Sequence, residues 1–229
     1  MDDSDRAVES LYPFLYAESS DVDAVLEQVR RSTEAKVEEI VLLREQVAER
    51  DGARLAECAR AMARSFAAGG QLLAFGNGGS STDAQDLAGT FLHPGGRARP
   101  LPALSLTADI AVVTALSNDI GFDVVFARQI AAFGRPGDIA VGLSTSGNSA
   151  NLIRAFDEAS RLGMVTVGLA GYDGGRMAEA DTIEHLFVVP SASVHRIQEA
   201  QTSIYHVLWE LVQHELGEPA PVRAGGAGR

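Results

Sequence analysis

A single cysteine, Cys58, is present in 229 residues, so neither an internal disulfide nor a multi-thiolate metal site can form. Its neighbours Leu55, Ala59 and Met62 predict a small buried residue on a helix face. No apolar run approaches the roughly 20 residues that span a bilayer. The acidic opening MDDSDRAVES is unlike a signal peptide, and a soluble, cytoplasmic protein without a membrane partner is expected. Positive charge is scarce: 19 Lys and Arg stand against 31 Asp and Glu, a net charge of −12. Such a surface repels a phosphate backbone, which argues against nucleic acid as a partner. Any site for an anion must then be made locally, from backbone N–H groups and hydroxyls.

Familiar nucleotide and hydrolase signatures are missing too. There is no G-x-x-x-x-G-K-[ST] phosphate loop and no G-x-S-x-G elbow. A dinucleotide fingerprint starting at Gly76 fails at its sixth position, where Ser81 stands. What is present is an alternation. Apolar runs at 71–75, 101–106, 138–144, 164–170 and 183–189 predict five strands. Helical patterns fall between them at about 80–92, 109–117, 121–132, 149–162 and 174–179, with a last one at about 193–216. The order implies an α/β fold, a doubly wound five-stranded parallel sheet flanked by helices. Such sheets bind ligands at the carboxyl ends of their strands.

Residues 1–70 read as an N-terminal extension. Ten solvated residues and the apolar segment LYPFLYA (11–17) precede a helix from Asp21 to Arg50, capped by Asp21 or Asp23. A second helix is expected from about Arg54 to Ala68, closed by Gly69 and Gly70. Their apolar stripes need a surface, either the sheet domain or another subunit. The segment 71–216 forms the α/β domain. The tail 217–229, rich in Gly, Pro and Ala, is expected to be disordered.

Two loops carry the chemistry. The first strand runs into Gly76-Asn77-Gly78-Gly79-Ser80-Ser81-Thr82, where glycines allow a tight turn and the following helix offers free N–H groups to an anion. The alternative is a tight turn with a Ser cap. The third strand ends in Ser144-Thr145-Ser146-Gly147-Asn148-Ser149, and four hydroxyls in six residues exceed what a cap requires. Two such loops on one sheet can converge on one phosphate.

The segments GNGGSSTDAQ (76–85), LSNDIGFDVVFARQI (116–130), GRPGDIAVGLSTSGNSANLI (134–153), GLAGYDGGRMAEAD (168–181) and RIQEAQ (196–201) resemble the phosphoheptose isomerases. These sugar isomerase (SIS) domain enzymes convert sedoheptulose 7-phosphate to the aldose phosphate. The resemblance covers about residues 45–216 and implies a homotetramer with active sites between subunits. It implies a substrate-binding set of Asn77, Gly78, Gly79, Ser80, Asp119, Ser144, Thr145, Ser146, Ser149 and Gln198. The family carries a His and a Glu one turn apart on the helix after the first loop, and a Gln and a His two turns apart on the last helix. Here Gln198 and His206 match, while Asp86 stands at the His position and Thr90 at the Glu position. Asp86 is therefore expected to supply the carboxylate, with His206 as acid/base partner. Asp86, Gln198 and His206 are also the candidate set for a zinc ion, and His195 stands beside the pocket without an assigned role. The sequence leans to a phosphosugar isomerase. The alternative is a non-catalytic phosphosugar-binding or adaptor tetramer, like the related DnaA initiator-associating proteins.

Overall fold

The computed structural model describes residues 22–217. The segment 11–17, the Asp21 cap and the tail from 218 onward lie outside the described residues. The chain divides into two compact units, one ending at Val41 and the other starting at Leu42.

Helix α1 runs unbroken over Val22–Ala67, where two helices were expected. The gap between them holds Asp51 and Gly52; Gly costs about 1 kcal/mol in a helix interior and Asp favours caps. In the structure Asp51 caps nothing. Its side chain is 0% exposed, and it accepts from Arg50 at 2.6 Å and Arg54 at 2.7 Å. Both guanidiniums reach further, to strand β5 (His185–Val189) at one edge of the sheet. Arg54 donates to the Leu186 carbonyl at 2.6 Å and lies over the Phe187 ring, and Arg50 donates to the Val188 carbonyl. The buried carboxylate thus aims two cations at backbone carbonyls that have no strand to pair with. We expect Asp51→Ala to destabilise the fold by about 1–3 kcal/mol, read as a lower urea midpoint with an unchanged slope.

Before Val41, the helix leaves Val22, Val25, Leu26, Val29 and Val37 exposed. From Leu43 onward its larger apolar side chains are buried, with Cys58, Ala59 and Met62 among the buried residues. Burial pushes the Cys58 thiol up to about 12, the inert residue expected.

The other strands are β1 (Leu72–Gly76), β2 (Ala103–Ser105), β3 (Ile139–Leu143) and β4 (Val165–Gly171). All five pair in parallel, in the order β2-β1-β3-β4-β5. Helices α2 (Gly79–Leu92), α3 (Ile110–Asp119), α4 (Val125–Phe133), α5 (Ala150–Arg161), α6 (Gly175–Glu179) and α7 (Val194–Leu216) connect or follow them. Every residue of β1 and β3 is buried, as a sheet covered on both faces requires. Phe75 lies 5.5 Å from Phe126 and 5.2 Å from Phe156. A Cβ on Gly142 would strike both Phe75 and Phe156, so a glycine sits mid-strand to admit the rings.

The strand order reverses between β1 and β3, where chain connections leave in opposite directions and open a crevice. Gly76 pairs with Leu143 in the register, which brings the ends of β1 and β3 level. Both hydroxyl-rich loops therefore leave adjacent strands at the switch point.

Candidate active site

The first loop turns through Gly78 at φ 57°, ψ −123°, a conformation in which a side chain is strained. A Cβ on Gly79 would collide with the Gln198 amide, so this glycine admits α7 to the start of α2. Gly78 caps α2 without a side chain, and the Ser80 and Ser81 N–H groups turn back to the Asn77 and Gly78 carbonyls at 3.1 and 3.0 Å. Ser80 is buried in that turn. Asn77 does not point freely into the crevice: its amide exchanges two hydrogen bonds of 2.9 Å with Asn151 on α5. That reciprocal pair ties the first loop to the second, and Asn151 was not anticipated. An Asn in the first turn of an expected helix was its only signal.

The second loop is braced by its neighbours. The Ser144 hydroxyl accepts from the Gly147 N–H at 3.1 Å and lies 3.4 Å from the Ser149 hydroxyl. Ser149 occupies the N-cap of α5 yet makes no side-chain cap bond, so the helix N-terminus stays available. The Met177 N–H donates to the Gly147 carbonyl at 2.9 Å, and the Arg176 N–H to the Asn148 side-chain oxygen at 3.1 Å. Gly147 adopts φ 66°, and a Cβ there would run into the Gly174 carbonyl. Thr145 and Ser146 are half-buried at the same turn. Behind it, Gln201 on α7 is fully buried, donates to the Ser144 carbonyl at 3.5 Å and leaves its oxygen unpaired.

Where α2 meets α7 the candidate chemical groups assemble in pairs. Gln198 donates to Asp83 at 3.0 Å. Burial raises the Asp83 carboxyl above its ordinary range, against the lowering effect of that bond. The Tyr205 hydroxyl donates to Asp86 Oδ2 at 2.6 Å, and its ring stacks on the His206 imidazole at 4.9 Å. His206 Nδ1 lies 2.8 Å from the Thr202 carbonyl. A carbonyl only accepts, so Nδ1 carries a proton and Nε2 is the nitrogen left to take or give one. Asp86 and His206 thus reach one another through Tyr205, which the expected pair of Gln198 and His206 omitted. The signal was in the spacing. At 100° per residue, i to i+7 returns to within about 20°, while i to i+8 drifts by about 80°.

Asp119 is exposed at the end of α3, where it accepts from Asn118 at 2.8 Å, and no hydrogen bond joins it to the other site residues described. His195 is exposed at the start of α7. No cluster of three or more His, Cys, Asp or Glu is found among the described residues. Asp86 Oδ1, Gln198 Oε1 and His206 Nε2 make no hydrogen bond with another described residue, so each candidate zinc ligand retains one donor atom.

A family model described as "SIS domain" matches residues 35–171. The phosphoheptose isomerase of Roseiflexus sp. (strain RS-1) is 41% identical over 199 residues, covering 86% of this chain and 92% of that protein. The enzyme of Pelodictyon phaeoclathratiforme is 45% identical over 193 residues, 80% of this chain and 91% of that protein. The chain belongs to the phosphoheptose isomerase family. Among solved structures, the phosphoheptose isomerase of Neisseria gonorrhoeae superposes with a TM-score of 0.75 at 35% identity, covering 81% of this chain and 99% of that one. The α/β fold and the family resemblance are both borne out, and the protein is an isomerase acting on a phosphosugar.

Proposed function

We propose that the protein converts sedoheptulose 7-phosphate to the corresponding aldose phosphate, with the phosphate held by Ser80, Ser144, Thr145, Ser146 and Ser149. The observation that carries this reading is the convergence of two hydroxyl-rich loops at one switch point, beside the Asp86–Tyr205–His206 contact. The positive dipole ends of α2 and α5 favour negative charge, which an acidic protein needs to hold an anion. Asn77, Gly78, Gly79, Asp119 and Gln198 complete the binding set.

Isomerisation moves one proton between adjacent carbons. Asp86, as the carboxylate, takes the proton from C1 while His206, as the imidazolium, gives its Nε2 proton to the C2 oxygen, which forms the enediol. Asp86 then returns its proton to C2 as the O1 hydroxyl gives its proton to His206, leaving an aldehyde at C1. Each group ends as it began. A zinc ion held by Asp86, Gln198 and His206 would polarise the carbonyl; metal analysis of protein purified without chelator tests that set. A cytoplasmic homotetramer is part of the same reading. Helix α3 has an apolar sequence yet buries no residue, and Ile110, Ile120, Phe122 and Phe133 stand exposed nearby.

The test is turnover of sedoheptulose 7-phosphate by purified protein, with and without added zinc, with product resolved from substrate. Conversion is expected. Saturable binding of the sugar phosphate with no conversion under either condition would overturn the assigned substrate.

A further inference from the structure

Tyr205 is almost fully buried, yet its hydroxyl reaches Asp86, an exposed residue on a different helix. A buried phenol needs a partner for its O–H, and a backbone carbonyl or a water would serve. The partner here is a carboxylate at the open end of the site, and the 2.6 Å separation is that of a charge-assisted bond. An exposed Asp on a helix ordinarily samples several rotamers. This bond selects one of them and occupies Oδ2, which leaves Oδ1 as the oxygen free to take a proton.

The same ring fixes the other partner. His206 lies against it with ring planes 29° apart, while the Thr202 carbonyl holds its Nδ1. The Thr202 hydroxyl lies 3.5 Å from the Tyr205 hydroxyl, so one turn of α7 supports both contacts. Asp86 is one methylene shorter than a Glu and sits one turn before Thr90, about 5.4 Å along the helix. A shorter carboxylate in an earlier turn has less reach to correct its own aim. Proton transfer needs heavy atoms at about 2.6–3.2 Å, and misplacement by 1 Å can cost about a hundredfold in rate.

Resting on the isomerase reading of this site, we infer that Tyr205 is a positioning residue that holds the Asp86 carboxylate and the His206 ring in one geometry for proton transfer between substrate carbons. It does not touch the reacting atoms itself. Its hydroxyl acts through Asp86 and its ring acts through His206.

Tyr205→Phe separates these roles, because it keeps the ring against His206 and removes only the hydroxyl. The experiment compares wild type, Tyr205→Phe, Asp86→Asn and the double variant on sedoheptulose 7-phosphate, protonated or deuterated at C1. We expect kcat of Tyr205→Phe to fall about ten- to a hundredfold with KM within about twofold, and its deuterium isotope effect to exceed that of wild type. The double variant should be no slower than Asp86→Asn, since the hydroxyl acts only through that carboxylate. A purely structural Tyr205 would lower Tm and leave kcat and the isotope effect alone. That result, or additive losses in the double variant, overturns the inference while the isomerase stands. A wild-type protein that binds the sugar phosphate but turns over neither isotopologue overturns the isomerase reading and the inference with it.

Discussion

Asp86→Asn is expected to lower kcat on sedoheptulose 7-phosphate by about a thousandfold, and His206→Ala by a similar factor, with little change in KM. Positioned acid/base groups contribute about 10²–10⁴ in rate, and the carbon acid of a ketose is too weak to lose its proton to water at a useful rate. Asparagine keeps the shape of Asp86 and can still meet the Tyr205 hydroxyl through its oxygen, so packing at the α2–α7 contact survives. What disappears is the base. The phosphate loops lie on β1 and β3, and neither change touches them, which is why KM should hold. Steady-state kinetics with product separated from substrate checks both variants. Asp86→Asn with wild-type turnover would remove Asp86 from the mechanism and return attention to Asp83, whose carboxyl is raised by burial in the same helix turn.

Gly147→Ala should damage the protein more than any other single methyl group. The residue lies in the left-handed region at φ 66°, where a side chain costs roughly 1–2 kcal/mol. The added Cβ would also meet the Gly174 carbonyl far inside contact distance, and that carbonyl belongs to a turn secured by the Gly174 N–H bond to Gly171. Neither backbone can yield without loosening the loop that carries Ser144, Thr145, Ser146 and Ser149. We expect a loss of about 3 kcal/mol or more in unfolding free energy and at least tenfold weaker binding of the sugar phosphate. Urea denaturation and titration calorimetry read the two effects separately. A stable Gly147→Ala protein with native affinity would show that the loop can be rebuilt without its bond from Met177.

The strands and the two loops were legible because each is a short-range pattern. An apolar run of five residues followed by glycines and hydroxyls specifies a buried strand and an open helix start. The expected strand at 101–106 shrank to Ala103–Ser105, since only its middle pairs with β1. The expected helix at 121–132 became a 3₁₀ turn at Phe122–Val124 followed by α4, because Gly121 at φ 124° starts the segment outside helical geometry. The break expected in α1 does not form, because Asp51 holds Arg50 and Arg54, whose own partners are carbonyls more than 130 residues away in β5. No local window contains that information. The same holds at the site. Gln198 and His206 were visible by their match to a family, but Tyr205 acquires its role only when α7 lies against α2. Asn77 looked like a ligand group until Asn151, from the other loop, was found holding it.

The pair of arginines on β5 has a consequence for how copies of this chain can meet. Strand β5 ends the sheet on one side, and its outward carbonyls at Leu186 and Val188 are already taken. On the other side β2 offers only three residues. A sheet closed in this way cannot grow by strand addition, the usual route to edge-to-edge aggregation. Contacts between copies are left to helices and loops, whose side chains, unlike bare backbone, can tell one partner from another.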